Sequence, residues 1–405
     1  MPKIVVVWEM GADLGHVTRL DTLAKYLAGR GHEVVCIFSD VSEIQRLYPR
    51  PLTPSYRLLA GPSWPDKHLK LSRPPANLVE VLLSIGYYKP QVIAQKLADW
   101  RVIFAELKPD LIIYDYAPTA VLASRDLTCK KIGIDDPFSK PPDIFPLPSF
   151  DLNAKVSIAN LKISEIRLVD TVNLALAQFQ LGKITQASDL FATDKSFLLS
   201  IPELDPFSHL RASANYVGLI STSGSQQKIA LNWNTQSSAK KVFVYLKPNY
   251  PKIKELLSCL VKFDIQGRFF IPQASQEMLD ICRSANNVEI SEQPYELAKN
   301  LAECDLIICH GGHSTLMQAA LCAVPTLIIP LQQEQLSTAQ KCVDGGLALA
   351  FGSALTDAGK IHSIIHTILS DESFKQRNQL CSDFYKNTFT RSALEIITQY
   401  IEFCL

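Results

Sequence analysis

Short apolar segments alternate with amphipathic ones along most of the 405-residue chain. The apolar segments are rich in valine, isoleucine and leucine, which is typical of strands buried on both faces of a parallel sheet. The segments between them carry apolar residues at helical spacing, so the pattern predicts an α/β fold with parallel sheets. The predicted strands are Lys3–Val7, Glu33–Phe38, Leu111–Tyr114, Lys131–Ile134, Ser196–Ser200, Lys240–Leu246, Gly267–Ile271, Asn287–Ile290, Asp305–Cys309 and Thr326–Ile329.

One polar segment divides these elements into two groups. Residues 221–239 are dominated by Ser, Thr, Gln, Asn and Gly, a composition that predicts a linker. We therefore expect an N-terminal domain over 1–220 and a C-terminal domain over 240–385, with a further helix over 386–405. Both domains begin with a strand and continue in the β-α-β order of a Rossmann-like unit.

Composition excludes several classes of partner. The 40 basic and 40 acidic residues cancel, so no net charge favours nucleic acid. No apolar run approaches the ~18 residues that a membrane-spanning helix needs, and Glu9 interrupts the first apolar segment too early for a signal peptide. The 10 cysteines form no Cys-x-x-Cys pair, which fits a reduced compartment and no zinc site. We expect a cytoplasmic protein without a transmembrane segment.

The first predicted strand leads into a glycine-containing loop and a helix. The loop reads Gly-x-x-x-Gly-His over Gly11, Gly15 and His16, rather than the Gly-x-Gly-x-x-Gly of dinucleotide-binding proteins. A histidine at the carboxyl edge of a parallel sheet can accept a proton near neutral pH. The alternative is that His16 only pads or caps the loop.

An aspartate follows the next central strand. Asp115 ends the segment Leu111–Tyr114, and Asp135–Asp136 end the following strand. A carboxylate that accepts a hydrogen bond from one imidazole nitrogen fixes the histidine tautomer and stabilises the protonated ring. Asp115 is our candidate partner for His16, with Asp135–Asp136 as the fallback, although strand-end aspartates also serve as caps.

The most informative stretch in the second half is residues 305–335. A buried strand is followed by His310, Gly311 and Gly312, and Ser314–Thr315 form a predicted N-cap for a helix through Leu321. A helix N-terminus presents unpaired N–H groups and partial positive charge, so it predicts an anion site that suits a phosphate. The next strand ends in a polar run that we interpret as a loop at the ligand-binding edge of the sheet.

These two regions resemble the signatures of family 1 glycosyltransferases, the UDP-glycosyltransferase-like enzymes of the GT-B fold. The family's N-terminal signature reads Gly-x-x-Gly-His, then an arginine and a Leu-Ala-x-x-Leu-x-x-Arg-Gly-His-Glu-Val helix end. This chain carries Gly11, Gly15, His16 and Arg19 there, with three residues between the glycines. The C-terminal match covers His-Gly-Gly, Val-Pro and the Pro-x-x-x-Glu-Gln segment. The matching positions of the second signature are His310, Gly311, Gly312, Thr315, Ala319, Leu321, Val324, Pro325, Pro330, Gln335 and Ala339. Ser314, Gln318 and Glu334 depart from it.

The resemblance implies two Rossmann-like domains whose parallel sheets face each other across a cleft, with the last helix crossing back to the first domain. It implies an inverting hexosyltransferase that moves a sugar from a UDP or dTDP donor to an acceptor hydroxyl. His16 would be the base and Asp115 its partner. The donor site would comprise His310, Gly311, Gly312, Ser314, Thr315, Gln318, Glu334 and Gln335. Because no Asp-x-Asp motif occurs, we expect neither a bridging metal nor another cofactor.

The acceptor stays open. Small molecules, lipids and glycans all fit a pocket built from residues 50–180, where the match is weakest, and the apolar segment Asn77–Ile85 leaves peripheral membrane contact open. Two other classes remain as alternatives, a non-catalytic auxiliary subunit of the same fold and a sugar-nucleotide epimerase. Retention of both His16 and Asp115 favours transfer over an auxiliary role.

Overall fold

A computed structural model of the chain describes residues 1–11, 14–47, 55–64, 71, 73–151, 156–221, 229–351 and 358–405. The chain divides into two compact units. Unit 1 comprises Met1–Ser225 and Arg391–Leu405, and unit 2 comprises Gln226–Thr390. Each unit contains a six-stranded sheet in which every neighbouring pair is parallel, so the predicted α/β class is confirmed.

The sheet of unit 1 has the strand order β3-β2-β1-β4-β5-β6. Its strands are β1 (Lys3–Trp8), β2 (Glu33–Phe38), β3 (Arg57–Ala60), β4 (Leu111–Asp115), β5 (Lys130–Asp135) and β6 (Lys195–Leu198). Its helices up to residue 225 are α1 (Leu14–Gly29), α2 (Ser42–Leu47), α3 (Leu78–Leu82), α4 (Pro90–Leu107), α5 (Pro118–Ala123) and α6 (Ile158–Ala177). A π-helical turn spans Leu83–Tyr87, and 3₁₀ turns span Ala187–Phe191, Pro202–Leu204 and Ser208–Leu210.

The sheet of unit 2 repeats this order as β10-β9-β8-β12-β13-β14. The strands of unit 2 are β7 (Ile229–Ala230), β8 (Lys240–Tyr245), β9 (Ile265–Phe270), β10 (Val288–Ser291), β11 (Tyr295–Glu296), β12 (Leu306–Cys309), β13 (Thr326–Ile328) and β14 (Ala348–Ala350). Its helices are α7 (Ile253–Leu260), α8 (Gln276–Arg283), α9 (Leu297–Asn300), α10 (His313–Leu321), α11 (Gln333–Asp344), α12 (Ala358–Ser370) and α13 (Glu372–Thr388), with a 3₁₀ turn at Leu301–Glu303. The short strands β7 and β11 pair with each other, so the end of the polar segment 221–239 is folded into unit 2.

Alternation along β1 shows how unit 1 builds a core on each face of its sheet. Ile4 and Val6 are fully buried on one face, in a cluster that also contains apolar residues of α1. Val5 and Val7 are fully buried on the other face, against residues of α3 and α4. Because successive side chains of a strand point to opposite faces, a continuous apolar strand requires cover on both sides.

The final helix, α14 (Ala393–Cys404), contributes to the core of unit 1. Ile397 and Ile401 are fully buried there, and Tyr400 packs edge-on against Phe197 of β6. Arg30, just after α1, pairs with Glu402. The helix predicted over 386–405 is not continuous. Its first residues belong to the end of α13, and the chain leaves helical geometry between Thr388 and Ala393.

In each sheet the strand order reverses between two central strands, β1 and β4 in unit 1 and β8 and β12 in unit 2. Loops that leave the carboxyl ends of these strands depart in opposite directions. Ligands of open α/β sheets bind in the resulting crevice. Residues after β1 and β4, and after β8 and β12, are therefore the first candidates for chemistry.

Several sequence interpretations were wrong in detail. The polar run after Pro330 is not a loop, because α11 begins at Gln333. The Ser314–Thr315 pair is not the N-cap of α10, which begins at His313 after an N-cap at Gly312. The apolar spacing over 153–182 predicts one helix, but the structure is helical only over Ile158–Ala177, and 152–155 lie outside the described residues. The proline-marked segment 49–65, which the sequence predicts as a loop, also lies partly outside them, as do 48–54 and 65–70.

None of the helices in the described part of the chain is long and apolar enough to cross a bilayer.

A buried glutamate connects α6 to the proline-rich segment 137–150 of unit 1. Glu165 is fully buried, and its carboxylate accepts hydrogen bonds from the backbone amides of Leu147, at 2.6 Å, and Ala187, at 2.8 Å. Burial raises the pKa of Glu165, while the two amides oppose that shift. One side chain of α6 thus holds both the proline-rich segment and the start of the 3₁₀ turn Ala187–Phe191.

Replacing Glu165 with glutamine is expected to destabilise unit 1 by about 1–3 kcal/mol, because the new NH₂ group must face one of two buried backbone donors. Asp170→Asn on the exposed side of the same helix is the matched control, and is expected to stay within ~0.5 kcal/mol of the original chain. Urea unfolding followed by tryptophan fluorescence measures both, since Trp8, Trp64 and Trp100 all lie in unit 1. Equal stabilities of the two variants would contradict the assigned role.

Candidate active site at the strand-order reversal of each unit

His16 and Asp115 meet at the point where the strand order of unit 1 reverses. His16 lies in the first turn of α1, not in the preceding loop, and Asp115 is the last residue of β4. The Nδ1 atom of His16 is 2.9 Å from Oδ1 of Asp115. Asp115 is fully buried, whereas the His16 side chain retains 14% of its exposure. The structure thus brings together the two residues that the sequence predicts as base and partner.

Two aromatic rings fix the plane of the His16 imidazole. Trp8, at the end of β1, stacks at 5.8 Å between ring centroids, and Tyr116 stacks at 6.3 Å. Tyr116 has a left-handed backbone, with φ 45°. Its amide donates to Asp135 and its carbonyl accepts from Met10, which supports this unfavourable conformation.

Gly11 lies against the other nitrogen of the imidazole. Its φ is +95°, and a Cβ at this position would lie 2.8 Å from Nε2 of His16. Among the described residues, no side chain or backbone group forms a hydrogen bond with Nε2. Gly11 therefore allows the backbone to approach this nitrogen without a side chain blocking it. A Cβ on Gly15 would meet no described atom within 4 Å, so packing there does not require glycine.

Arg19 lies one helical turn after His16 and is 7% exposed. Its Nε donates to Oδ2 of Asp115 at 2.6 Å, and its Nη2 donates to Oδ1 of the same carboxylate at 2.5 Å. Its Nη1 is 3.3 Å from Oδ2 of Asp136. The guanidinium thus forms a two-point contact with Asp115 and a third contact with the next strand end.

The charges around His16 act in opposite directions. Burial favours the neutral ring, and Arg19 does so as well, but Asp115 and Asp136 outweigh both and raise the pKa of His16 above its ordinary value. Burial also opposes ionisation of Asp115, yet Arg19 and His16 lower the pKa of this carboxyl below its usual range. Asp115 is therefore a carboxylate at neutral pH, and it stabilises a proton gained by His16.

The fallback partners have other contacts. Asp136 accepts from the amides of Phe138, at 3.1 Å, and Ser139, at 2.9 Å, in a tight turn. Asp135 accepts from the Tyr116 amide, and burial raises its pKa to about 7 although nearby Lys140 opposes the shift. Of the three acidic residues, Asp115 is the one in hydrogen-bond contact with His16.

In unit 2 the loop after β12 leads into α10. Gly311 has φ +86°, and a Cβ there would lie 2.7 Å from Cγ2 of Ile328, so both backbone and packing require glycine. A Cβ on Gly312 would meet no described atom within 4 Å. The amide of Thr315 bonds to the Gly312 carbonyl at 3.0 Å, which leaves the amides before it as the anion donors of this helix end. Ser314 is half-buried in that first turn.

The structure does not support His310 as a side-chain ligand of a phosphate. Its Nε2 accepts a hydrogen bond from the Lys247 amide at 2.8 Å, and its Nδ1 lies 2.8 Å from the Ile329 carbonyl. Both ring nitrogens are therefore occupied in a neutral imidazole, and burial lowers the pKa of His310. The ring joins the loop after β8 to the end of β13, instead of facing a ligand.

Gln335 also has a structural contact in place of the predicted one. Its Oε1 accepts from the amides of Leu331, at 2.7 Å, and Gln332, at 3.3 Å, as part of the capping box of α11. Glu334 is half-buried in the first turn of the same helix. Gln318 is half-buried in α10, where its Nε2 lies 3.3 Å from the Ser314 carbonyl. Glu334 and Gln318 thus stay as the candidate ligands of a donor sugar and ribose.

Sequence reasoning gave no role to Arg19 or to the aromatic residues beside His16. The position of Arg19, three residues after His16 on a predicted helix, was a usable signal because such residues share a helix face. Trp8 and Tyr116 follow strand ends, but nothing in the sequence distinguishes them from core aromatics. The bond from the Lys247 amide to His310 depends on tertiary structure alone.

Comparison with protein families identifies one matching domain. Residues 271–396 match the glycosyltransferase family 28 C-terminal domain. Over the whole chain, the protein is 24% identical to a zeaxanthin glucosyltransferase of Pseudescherichia vulneris, over 89% of each chain. It is 23% identical to a PGL/p-HBAD biosynthesis glycosyltransferase of Mycobacterium tuberculosis (strain ATCC 25177 / H37Ra), over 92% of this chain and 86% of the relative.

The fold is shared with solved structures of low sequence identity. The glycosyltransferase VinC, solved in complex with dTDP, superimposes with a TM-score of 0.71 over 99% of both chains at 15% identity. This likeness extends over both units. The predicted GT-B fold is therefore confirmed.

Substituting Gly11 with alanine is expected to slow proton transfer by His16 while costing little more stability than a distant control. Gly31→Ala is that control, because Gly31 has φ +90° but no atom of a described residue within 4 Å of its Cβ position. Both variants pay the strain of a left-handed alanine, about 1–2 kcal/mol. Only Gly11→Ala presses a methyl group against Nε2, and we expect transfer to fall about a hundredfold. Similar turnover of the two variants would contradict a reactive Nε2.

A second pair of variants tests the α10 site in unit 2. Gly312→Ala keeps an ordinary backbone, with φ −57° and ψ 131°, so thermal stability is expected to be unchanged. If the diphosphate lies against this position, the methyl group weakens dTDP or UDP binding about tenfold, the loss expected for one hydrogen bond to a charged group. Calorimetric titration measures this, with Gly345→Ala as the control in the same unit. Unchanged affinity of Gly312→Ala would place the diphosphate elsewhere.

Proposed function

We propose that the chain is a family 1-like glycosyltransferase of the GT-B fold and that it transfers a hexose, with inversion, from a UDP or dTDP sugar to the hydroxyl of an apolar aglycone. The observation that carries the proposal is the hydrogen bond between His16 Nδ1 and Asp115 Oδ1, with Nε2 left against Gly11. This arrangement supports a base poised for a hydroxyl proton.

The chemical step uses unit 1 for proton transfer. Nε2 of His16 takes the proton of the acceptor hydroxyl, and the oxygen forms a bond to the anomeric carbon. The bond between that carbon and the diphosphate oxygen breaks, and the nucleoside diphosphate leaves with its electron pair. Asp115 compensates the charge of the imidazolium, whose proton then passes to solvent. A single displacement of this kind inverts the anomeric configuration.

Unit 2 supplies the donor contacts in this proposal. The first-turn amides of α10, preceded by Gly312, carry the positive end of the helix dipole and stabilise the diphosphate as its charge grows. Gln318 can accept a hydrogen bond from a ribose hydroxyl, and Glu334 is suited to sugar hydroxyls. His310 and Gln335 act indirectly, since they hold the loop after β8 and the start of α11.

The acceptor class is inferred from the neighbourhood of His16 and from a relative. Tyr116 packs edge-on against Phe138, and Phe138 stacks on Phe150, so an aromatic cluster extends from the base through the proline-rich segment. One relative is named for transfer to zeaxanthin. An apolar aglycone with a hydroxyl group fits both observations better than a highly polar glycan does.

We expect UDP-glucose or dTDP-glucose, offered with zeaxanthin and other hydroxylated apolar acceptors, to give a glycoside detected by mass spectrometry. His16→Ala should lower kcat about a hundredfold or more without changing the donor KM, because the base and the donor contacts lie in different units. His209→Ala, an exposed histidine of unit 1, is the control. Full turnover by His16→Ala, or an unchanged anomeric configuration in the product, would reject the proposed mechanism.

A further inference from the structure

We propose that Arg19 is a positioning residue for the transfer reaction: it holds the Asp115 carboxylate in place and so selects the His16 tautomer that leaves Nε2 free to accept a proton. This inference rests on the proposed role of His16 as the base. The support is the arrangement of hydrogen bonds around one buried carboxylate.

Arg19 fixes the geometry of the Asp115 carboxylate. Both oxygens of Asp115 accept from Arg19, one from Nε at 2.6 Å and one from Nη2 at 2.5 Å. A planar guanidinium that bonds both oxygens prevents the carboxylate from rotating about its terminal bond. Oδ1 is then directed at His16 Nδ1, 2.9 Å away. Lysine, with one point charge, could neutralise Asp115 but could not fix its rotation.

The two neighbours of His16 Nδ1 determine whether this nitrogen carries the proton. This nitrogen lies 2.9 Å from Asp115 Oδ1, which only accepts, and 2.9 Å from Arg19 Nη2, which only donates. If Nδ1 carries the proton, it donates to Asp115 and Nε2 keeps its lone pair. If Nδ1 is bare, it accepts from Arg19 and the proton blocks Nε2. Because Arg19 directs Nη2 at Oδ1 at 2.5 Å, the carboxylate stays beside Nδ1 and the first tautomer prevails.

The charged groups around His16 distinguish a positioning role of Arg19 from a packing role. The groups that face Arg19 and His16 are Asp115 at the end of β4, Asp135 and Asp136 at the end of β5, and Lys140 beyond them. Arg19 opposes protonation of the resting His16, whereas Asp115 and Asp136 favour it. Removing Arg19 is therefore expected to raise the pKa of His16, and removing the Asp115 charge to lower it. A residue with only a packing role would cause neither shift.

Arg19 is itself held in place by the turn after β5. Its Nη1 reaches Asp136, whose Oδ1 is fixed by the amides of Phe138 and Ser139. The turn after β5 thus orients Asp136, Asp136 orients Arg19, and Arg19 orients Asp115. The chain of contacts ends at the base and crosses three neighbouring segments of unit 1.

The test uses the full chain labelled with ¹⁵N-histidine. Long-range ¹H–¹⁵N spectra report the tautomer and pKa of each of the 8 histidines, and His16→Ala assigns the His16 signals. Wild-type His16 should carry its proton on Nδ1. Arg19→Lys should show a mixture of tautomers and a kcat lowered about tenfold to a hundredfold, with an unchanged donor KM. Arg19→Gln should raise the His16 pKa and Asp115→Asn should lower it.

The matched control is Arg101→Lys. Arg101 lies on α4 of the same unit and forms the same kind of two-point contact with Asp126, at 2.8 and 3.0 Å. Arg101→Lys should not change the tautomer of His16, the pKa of His16 or kcat from their wild-type values. Arg19→Lys keeps the buried charge, so it stays informative if Arg19→Gln does not fold. A wild-type tautomer and kcat in Arg19→Lys would overturn the inference. Full turnover by His16→Ala would instead reject the proposed base and leave the spectroscopic result for Arg19 standing.

Discussion

A single buried carboxylate determines the organisation of the candidate active site in unit 1. Asp115 has no exposed surface, so its charge is tolerated only because Arg19 and His16 supply hydrogen bonds and compensating charge. The reversal of strand order brings β1 and β4 side by side, and this puts the end of β4 beside the first turn of α1. The aromatic stack, the glycine at 11 and the turn after β5 all preserve this one set of contacts.

Each unit places a histidine near the reversal of its strand order, after β1 in unit 1 and after β12 in unit 2, and the two rings have opposite surroundings. His16 is bordered by carboxylates, which raise its pKa, whereas His310 is bordered by a backbone amide and a carbonyl, and burial lowers its pKa. One ring is prepared to gain a proton and the other is held neutral. The hydrogen-bond partners of each ring therefore decide whether it can gain a proton.

The repeated apolar strands made the α/β class and most strand positions predictable, because strands buried on both faces leave a strong signal in one sequence. The pairing of His16 with Asp115 was predictable from strand ends and from the family resemblance, while the roles of both residues remain predictions. The start of α11 was missed because the polar residues that cap it, Gln332 and Gln335, are also typical of loops. The prediction for His310 was wrong because its partner, the amide of Lys247, is distant in sequence. Arg19 received no predicted role because its partner Asp136 is also distant in sequence.

The return of α14 to unit 1 makes unit 2 a continuous insertion within a discontinuous host. During synthesis, unit 2 can emerge from the ribosome whole, whereas the core of unit 1 lacks Ile397 and Ile401 until α14 has followed it. Unit 2 is thus the part that can be excised as one uninterrupted fragment. A fragment ending near residue 225 would expose the apolar surface that α14 covers, and would be prone to aggregate.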